Sequence, residues 1–313
     1  MISKNILVTG GSGFLGSHLC KKLLENNNFV VCIDNFYSSN FDNIKNLINN
    51  SNFRFIEQDV CQLDIDCKID EIYNLACPAS PVHYQADPVK TIQTNILGSI
   101  NVLEFAKKNK AKVLQASTSE VYGDPIMNPQ KEDYWGNVNP IGIRSCYDEG
   151  KRAAETIFFD YHRQYDQKIK VCRIFNTYGP NMAINDGRVI SNFIVQSLNN
   201  DSITIYGNGK QTRSFCYVDD LINGLIAVMN TDDNFTGPIN LGNDLELSII
   251  DIANIIIKTS GSKSIIKHLE ALPDDPNQRR PDLSLAKQMI QWSPSTKLED
   301  GIKSTIEYFK TIL

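Results

Sequence analysis

No apolar run in the sequence is long enough to cross a bilayer, which takes roughly 20 residues. No basic stretch followed by an apolar signal segment opens it either: Met1 to Lys4 lead directly into a strand pattern. Both absences predict a soluble chain with no membrane partner and no N-terminal anchor. A basic block is missing too. Its 31 Lys and Arg stand against 36 Asp and Glu, a net charge of −5, which argues against a nucleic-acid binder. Local arginines must then serve something small and anionic. There is no C-x-x-C pair: cysteines 20, 32, 61, 67, 77, 146, 172 and 216 are scattered through apparent strands and helices. They read as small buried hydrophobes, so no metal site is expected, and a reducing, cytoplasmic compartment is. No internal repeat or low-complexity linker interrupts the chain.

What is present is a rhythm. At 313 residues and 42% hydrophobic, the chain can bury a large core and exceeds the size at which one core usually stops growing. One large domain with a smaller lobe fits. β-branched runs at Asn5–Thr9, Phe29–Ile33, Phe53–Glu57, Glu71–Leu75, Lys112–Ala116 and Lys170–Phe175 alternate with helical-period segments beginning near Phe14, Pro88, Tyr147 and Asp186. This predicts an α/β fold, a Rossmann-type doubly wound parallel sheet with helices on both faces. After about residue 180 the pattern turns mixed. Short strands at Ile203–Ile205, Phe215–Tyr217 and Ile239–Leu241 alternate with helices at Val218–Met229 and Ile249–Thr259. The expected division is a dinucleotide-binding domain over 1–180 and a mixed α/β substrate-binding lobe over 181–313, with a soft boundary and some later segments rejoining the first part.

Thr9-Gly10-Gly11-Ser12-Gly13-Phe14-Leu15-Gly16 lies between the strand Ile6-Leu7-Val8 and a helical segment through His18, Leu19 and Leu23. Glycines at 10, 13 and 16 permit a tight turn, close approach of backbone to a pyrophosphate, and close helix-to-strand packing, while the helix N-terminus offers free N–H groups. The second strand ends in Asp34, where a carboxylate can accept from both ribose hydroxyls and would repel a 2′-phosphate, so NAD is favoured over NADP. Further along, Tyr147 and Lys151 have the four-residue spacing that puts both side chains on one helix face, after a Ser/Thr-rich strand end at 117–119. Tyr-x-x-x-Lys is common in ordinary surface helices; its order after a dinucleotide fingerprint gives it weight. A nearby ammonium and a positive nicotinamide would both favour the phenolate, which could take a proton from a sugar hydroxyl.

The nucleotide loop, Tyr147 with Lys151, and Arg-Ile-Phe-Asn-Thr-Tyr-Gly-Pro at 173–180 resemble the extended short-chain dehydrogenase/reductase superfamily. More specific runs begin at Asn74 (NLACPASP), Ser117 (STSEVYGDP), Glu132 (EDYWG), Cys146 (CYDEGKR), Asn185 (NDGR) and Asp275 (DPNQRRPD), and these resemble the UDP-glucuronate decarboxylase (UDP-xylose synthase) family over essentially the whole chain. One departure is Cys77, where family members carry Ser.

The resemblance implies oxidation of UDP-glucuronate at C4″ by NAD, loss of carbon dioxide from the resulting β-keto acid, protonation at C5″ and return of hydride to give UDP-xylose. By the same resemblance Tyr147 is the base, Lys151 holds the ribose and lowers the Tyr pKa, and Thr118 orients the hydroxyl. Glu120 manages the proton at C5″, and Arg279 orients the carboxylate. It further implies Asn35 and Phe36 at the adenosine ribose, Asp59 and Val60 at adenine, and Leu75, Thr94 and Thr177 along the cofactor path, with Phe14 and Leu15 in the nucleotide loop. Asn176, Arg188, Tyr206 and Arg213 would bind UDP, arginines being suited to bidentate phosphate contacts. Apolar residues at helical spacing, among them Ile92, Ile96, Ile100, Leu103, Ala154, Ile157, Phe158 and Tyr161, mark two helices through which the family forms a homodimer. Competing expectations are a decarboxylase that releases the 4-keto pentose with NADH, a nucleotide-sugar 4-epimerase or 4,6-dehydratase, and a dinucleotide-sensing regulator on the same fold. The last is disfavoured by an intact Tyr147, Lys151 and Thr118.

Overall fold

A computed structural model describes residues 3–270 and 278–313. Met1, Ile2 and the Asp275–Asn277 part of the last family motif lie outside the described residues.

Six strands, β1 (Asn5–Thr9), β2 (Phe29–Asp34), β3 (Phe53–Glu57), β4 (Glu71–Asn74), β5 (Lys112–Thr118) and β6 (Ile169–Ile174), join Ile239–Leu241 in one parallel sheet. The order across the sheet is Ile239–Leu241, β6, β5, β4, β1, β2, β3. Strands such as Ile6–Val8 and Val30–Ile33 are buried on both faces, which is why they read as unbroken apolar runs. The order reverses direction between β1 and β4, and in such sheets the crevice for a ligand opens at the carboxyl ends of the strands at that switch. Leu19, Leu23, Leu221 and Leu225 pack one face of the sheet, and Val102, Leu103, Ala106 and Phe158 the other.

A separate apolar cluster gathers Phe193, Ile194, Ile252, Ile256, Ile302 and Phe309 from the helices Val189–Leu198, Ile249–Ser260 and Leu298–Ile312. Small sheets stand beside it. Thr212–Ser214 pairs antiparallel with Glu246–Ser248 and parallel with Gln278–Arg279, which brings Arg213 and Arg279 into register.

The differences from the sequence expectations have local causes. β5 continues past Ala116 because Ser117 and Thr118 pair with Arg173 and Ile174. The helix expected near Asp186 starts at Val189, since Gly187 takes φ +80 and the Asp186 carboxylate is held by Arg188. Between the helices Pro88–Gln93 and Ser99–Asn109, residues Thr94–Gly98 form a π-helical turn. Such turns are frequent at functional sites.

Candidate functional site

A cleft of about 1000 Å³ runs over the carboxyl ends of the strands. Every site residue singled out from the sequence borders it except Phe36, whose left-handed backbone (φ 55) turns the ring onto Phe55, with centroids 5.2 Å apart.

At one end the Gly-rich turn closes tightly. Gly10 N donates to Ile33 O at 2.8 Å, and Gly10 takes φ +67. A Cβ on Gly16 would stand 2.1 Å from Gly10 O, so a side chain there cannot fit. Gly13 caps the helix Phe14–Glu25 without any side-chain hydrogen bond to the first turn, and a Cβ on it would meet only Gly10 O, at 3.2 Å. This bare helix terminus facing the cleft is a cradle that a side chain would fill, and it fits a pyrophosphate on its own geometry. Asp34 fixes the neighbouring corner: its carboxylate accepts from Ser12 N (3.0 Å), Phe36 N (3.0 Å) and Ser39 Oγ (2.7 Å). Farther out, Asn35 Nδ2 donates to Asp59 at 3.1 Å, and Lys90 forms an ion pair with the same carboxylate. Burial pushes Asp59 up, but the Lys90 ammonium and the Cys61 amide outweigh it and leave the carboxyl below its ordinary value.

The middle of the cleft holds Thr118, Tyr147 and Lys151. β5 delivers Thr118 at its end, and the helix Ser145–Tyr165 carries the other two one turn apart. Lys151 is buried, donates to Ala116 O at 2.8 Å and stands 5.8 Å from the Tyr147 ring centroid. Burial lowers the Lys151 pKa from its ordinary value. Burial also lifts the Tyr147 phenol well above its ordinary range, with the Cys77 thiol adding to this and a hydrogen bond with Thr118 pulling the other way. Behind β5, Glu155 accepts from Ser117 Oγ (2.6 Å) and from both Arg173 Nε (3.0 Å) and a terminal Arg173 nitrogen (2.8 Å). The buried fork locks the strand end to the helix that bears Tyr147.

Beyond Thr118 the chain turns through Ser119–Tyr122, and Thr118 Oγ1 accepts from Glu120 N at 3.2 Å. Among the described residues, Glu120 forms ion pairs with two guanidiniums. Arg279 pairs with it at 2.8 Å and donates also to Ser119 Oγ (3.1 Å) and Gly123 O (3.0 Å); Arg144 pairs with the other oxygen. Burial raises the Glu120 carboxyl, yet Arg279 and Arg144 together hold it below its ordinary value. From the later part of the chain, Arg188 lies over the Phe14 ring at 5.8 Å and is held by Asp186, while Arg213 donates to Thr212 O at 2.8 Å.

Sequence reasoning missed Arg144 and Tyr84. Arg144 could have been found one helical turn before Tyr147, as a cation at the same face. Tyr84, stacked on Tyr147, gave no signal, since its partner is far away in sequence.

Residues 7–305 match the family model described as GDP-mannose 4,6 dehydratase. UDP-glucuronic acid decarboxylase 5 of Arabidopsis thaliana is 51% identical over 306 residues, covering 97% of this chain and 89% of that protein. UDP-glucuronic acid decarboxylase 1 of Xenopus tropicalis is 49% identical, over 98% of this chain and 72% of the relative. Among solved structures, UDP-glucuronic acid 4-epimerase from Bacillus cereus in complex with UDP-glucuronic acid and NAD aligns with a TM-score of 0.90 at 34% identity, covering 99% of this chain and 100% of that one. UDP-N-acetylglucosamine 4-epimerase from Methanobrevibacter ruminantium M1 aligns with a TM-score of 0.92 at 32% identity over 100% of both chains. The site is thus built on a scaffold shared with nucleotide-sugar epimerases, and on the strength of relatives matched over nearly its whole length the chain belongs to the UDP-glucuronic acid decarboxylase family.

Proposed function

We propose that the chain is an NAD-dependent UDP-glucuronate decarboxylase that forms UDP-xylose. The observation that carries the reading is the Glu120–Arg279 ion pair set beside Thr118 and Tyr147, in a chain 51% identical to a UDP-glucuronic acid decarboxylase. A charged acid and a buried cation bordering the same cleft as Thr118 and Tyr147 support a sugar that carries a carboxylate.

Gly10, Gly13, Phe14, Leu15, Gly16, Asp34, Asn35, Asp59, Val60, Leu75, Thr94 and Thr177 hold NAD, together with Tyr147 and Lys151. When bound, NAD supplies the acceptor that takes hydride from C4″ and gives it back at the end. Tyr147 takes the proton of the C4″ hydroxyl and returns it in the last step, and Thr118 orients that hydroxyl. Lys151 holds the ribose and places an ammonium near the phenol, which favours its ionised form. Arg279 provides positive charge where the C5″–C6″ bond breaks, carbon dioxide leaves and the electron pair moves onto the C4″ oxygen. Glu120 manages the proton that then goes to C5″. Residues 1–180 bind the dinucleotide and the lobe from 181 to 313 binds the UDP moiety through Arg188, Tyr206 and Arg213, with Asn176 beside them; all four line the cleft.

The enzyme works as a homodimer joined by the helices around 88–109 and 145–165, where Val89, Leu97 and Tyr165 are exposed; light scattering on the purified protein tests this. A cytoplasmic setting is supported by eight free thiols. Among the described residues, no helix is long and apolar enough to cross a membrane.

The direct test incubates the protein with UDP-glucuronate and NAD, following products by mass and NMR and NADH by absorbance. Carbon dioxide and UDP-xylose without lasting NADH are expected. Stoichiometric NADH with a 4-keto pentose would mean that hydride return fails. A product keeping the carboxylate would overturn decarboxylation in favour of 4-epimerisation, which the likeness to the Bacillus cereus epimerase makes the nearest rival.

A further inference from the structure

At the carboxylate end the two cations on Glu120 are not equivalent. The Arg279 side chain is 3% exposed and is anchored on three sides, by Glu120, Ser119 Oγ and the Gly123 carbonyl. Arg144 is 20% exposed, borders the cleft, and sits at the N-cap of the helix that carries Tyr147. Its Nε also lies 3.9 Å from Asp148 Oδ2. Asp148 is buried, and its other oxygen has no hydrogen-bond partner among the described residues. Among the described residues, Arg144 is therefore a cation between two carboxylates: one in the cleft, the other behind it and only partly satisfied.

Resting on UDP-glucuronate as substrate, we propose that Arg144 is the residue that grips the sugar's C6″ carboxylate, leaving Glu120 as it does so, and that Asp148 is a positioning residue that steadies the guanidinium through the exchange. Arg279 stays on Glu120 throughout, because moving it would strip Ser119 and the Gly123 carbonyl of a buried donor. The exchange conserves charge: an incoming carboxylate replaces Glu120 as a partner of Arg144. Glu120, relieved of the Arg144 guanidinium, is freer to carry a proton, which its task at C5″ requires. A neutral C6″ hydroxymethyl has nothing to offer a guanidinium in competition with Glu120, so the device also selects for the acid sugar.

The test uses NAD-loaded protein in a Tyr147→Phe background, so that ligand is not consumed, and measures Kd for UDP-glucuronate and for UDP-glucose by calorimetry. Arg144→Gln is expected to weaken UDP-glucuronate about 10- to 100-fold, the scale of a charge-assisted hydrogen bond, and UDP-glucose by less than about 3-fold. Arg144→Lys, which keeps the charge without the fork, falls between, and serves if the Gln variant does not fold. Asp148→Asn weakens only UDP-glucuronate, by about 5-fold. Equal weakening of both ligands would make Arg144 merely structural, and no change in either would dismiss it. A parent protein showing no preference for UDP-glucuronate would sink the substrate reading itself. A preference that survives Arg144→Gln would sink only the assignment of Arg144.

Discussion

Tyr84 lies flat on Tyr147, with ring centroids 5.0 Å apart and planes inclined by 8°. The helix Pro81–Ala86 brings it there, and the stack holds the phenol of the proposed base against one wall of the cleft. The Tyr84 hydroxyl is buried without a hydrogen-bond partner among the described residues, and burial lifts its pKa far above the ordinary value. Tyr84→Phe keeps the stack and removes an unsatisfied polar group, so it is expected to leave turnover near wild type and to raise stability by up to ~1 kcal/mol. Tyr84→Ala removes the stack and leaves a hole; a loss of about 3 kcal/mol and a reduced kcat follow. Thermal unfolding and steady-state rates on both variants check this, and a Phe variant that melts lower than wild type would show that the hydroxyl has a role.

Gly16→Ala forces a methyl to within 2.1 Å of the Gly10 carbonyl. Either the turn opens or the helix shifts, and both spoil the cradle. The expected result is loss of NAD binding by at least about 10-fold, read as a missing thermal shift on adding NAD. Gly13→Ala meets only Gly10 O at 3.2 Å and should fold normally while still impairing NAD. Normal NAD affinity in the Gly13→Ala variant would remove the pyrophosphate from this turn.

Glu120→Ala should spare NAD binding and stop product formation. It also leaves Arg279, 2% exposed, without its carboxylate, at a cost of about 3–5 kcal/mol. The variant is thus expected to melt lower yet show the full NAD-induced stabilisation. Wild-type turnover in it would dismiss Glu120 from the chemistry.

Asp148 gives the folded chain a signed pH dependence. Burial first, then the negative charge of Glu120, raise its carboxyl to about 7, against the pull of Arg144 and Arg279; Glu149 adds a further negative charge. An acid whose folded pKa lies above its unfolded value of ~3.9 binds more protons folded than unfolded in between. Its contribution is complete below pH ~4 and is lost as pH rises through about 7. Asp148→Asn should flatten the melting temperature against pH over this window and raise it at neutral pH relative to wild type. Parallel curves for the two proteins would mean that Asp148 ionises normally.

How much of this was legible in the sequence follows from how local each cause is. β1 stands at the bounds read from its apolar run, because a strand buried on both faces shows itself in consecutive residues, while the edge strand β3 stands at its expected bounds although it exposes Arg54 and Glu57. The Gly-rich turn was legible for a similar reason: Gly13 and Gly16 answer to Gly10 and Gly11 a few positions away, although Gly10 itself also meets the distant Ile33 carbonyl and the Leu75–Ala76 backbone. Arg188 was marked as a ligand residue, but the delayed start of its helix depends on Gly187 and on an Asp186 pair that no periodicity announces. The Glu120–Arg279 pair joins positions 159 residues apart, and only the family resemblance put both at one end of the sugar. Arg144 and Tyr84 belonged to no motif read for chemistry; tertiary packing alone brought them to Glu120 and Tyr147.

The outermost strand of the large sheet, Ile239–Leu241, pairs with β6 across a gap of more than sixty residues. During translation β6 must therefore wait with its free edge open while those residues, which include the whole Val218–Met229 helix that packs over it, are still being made. At ~5–20 residues per second the wait lasts several seconds, long on the scale of strand association. A nascent chain halted just after residue 180 would present the apolar row Ile169, Val171 and Cys172 beside an unpaired edge, the feature that recruits other strands. Ribosome-stalled intermediates of that length are where a chaperone should be found bound, and release of the chaperone should follow emergence of Leu241.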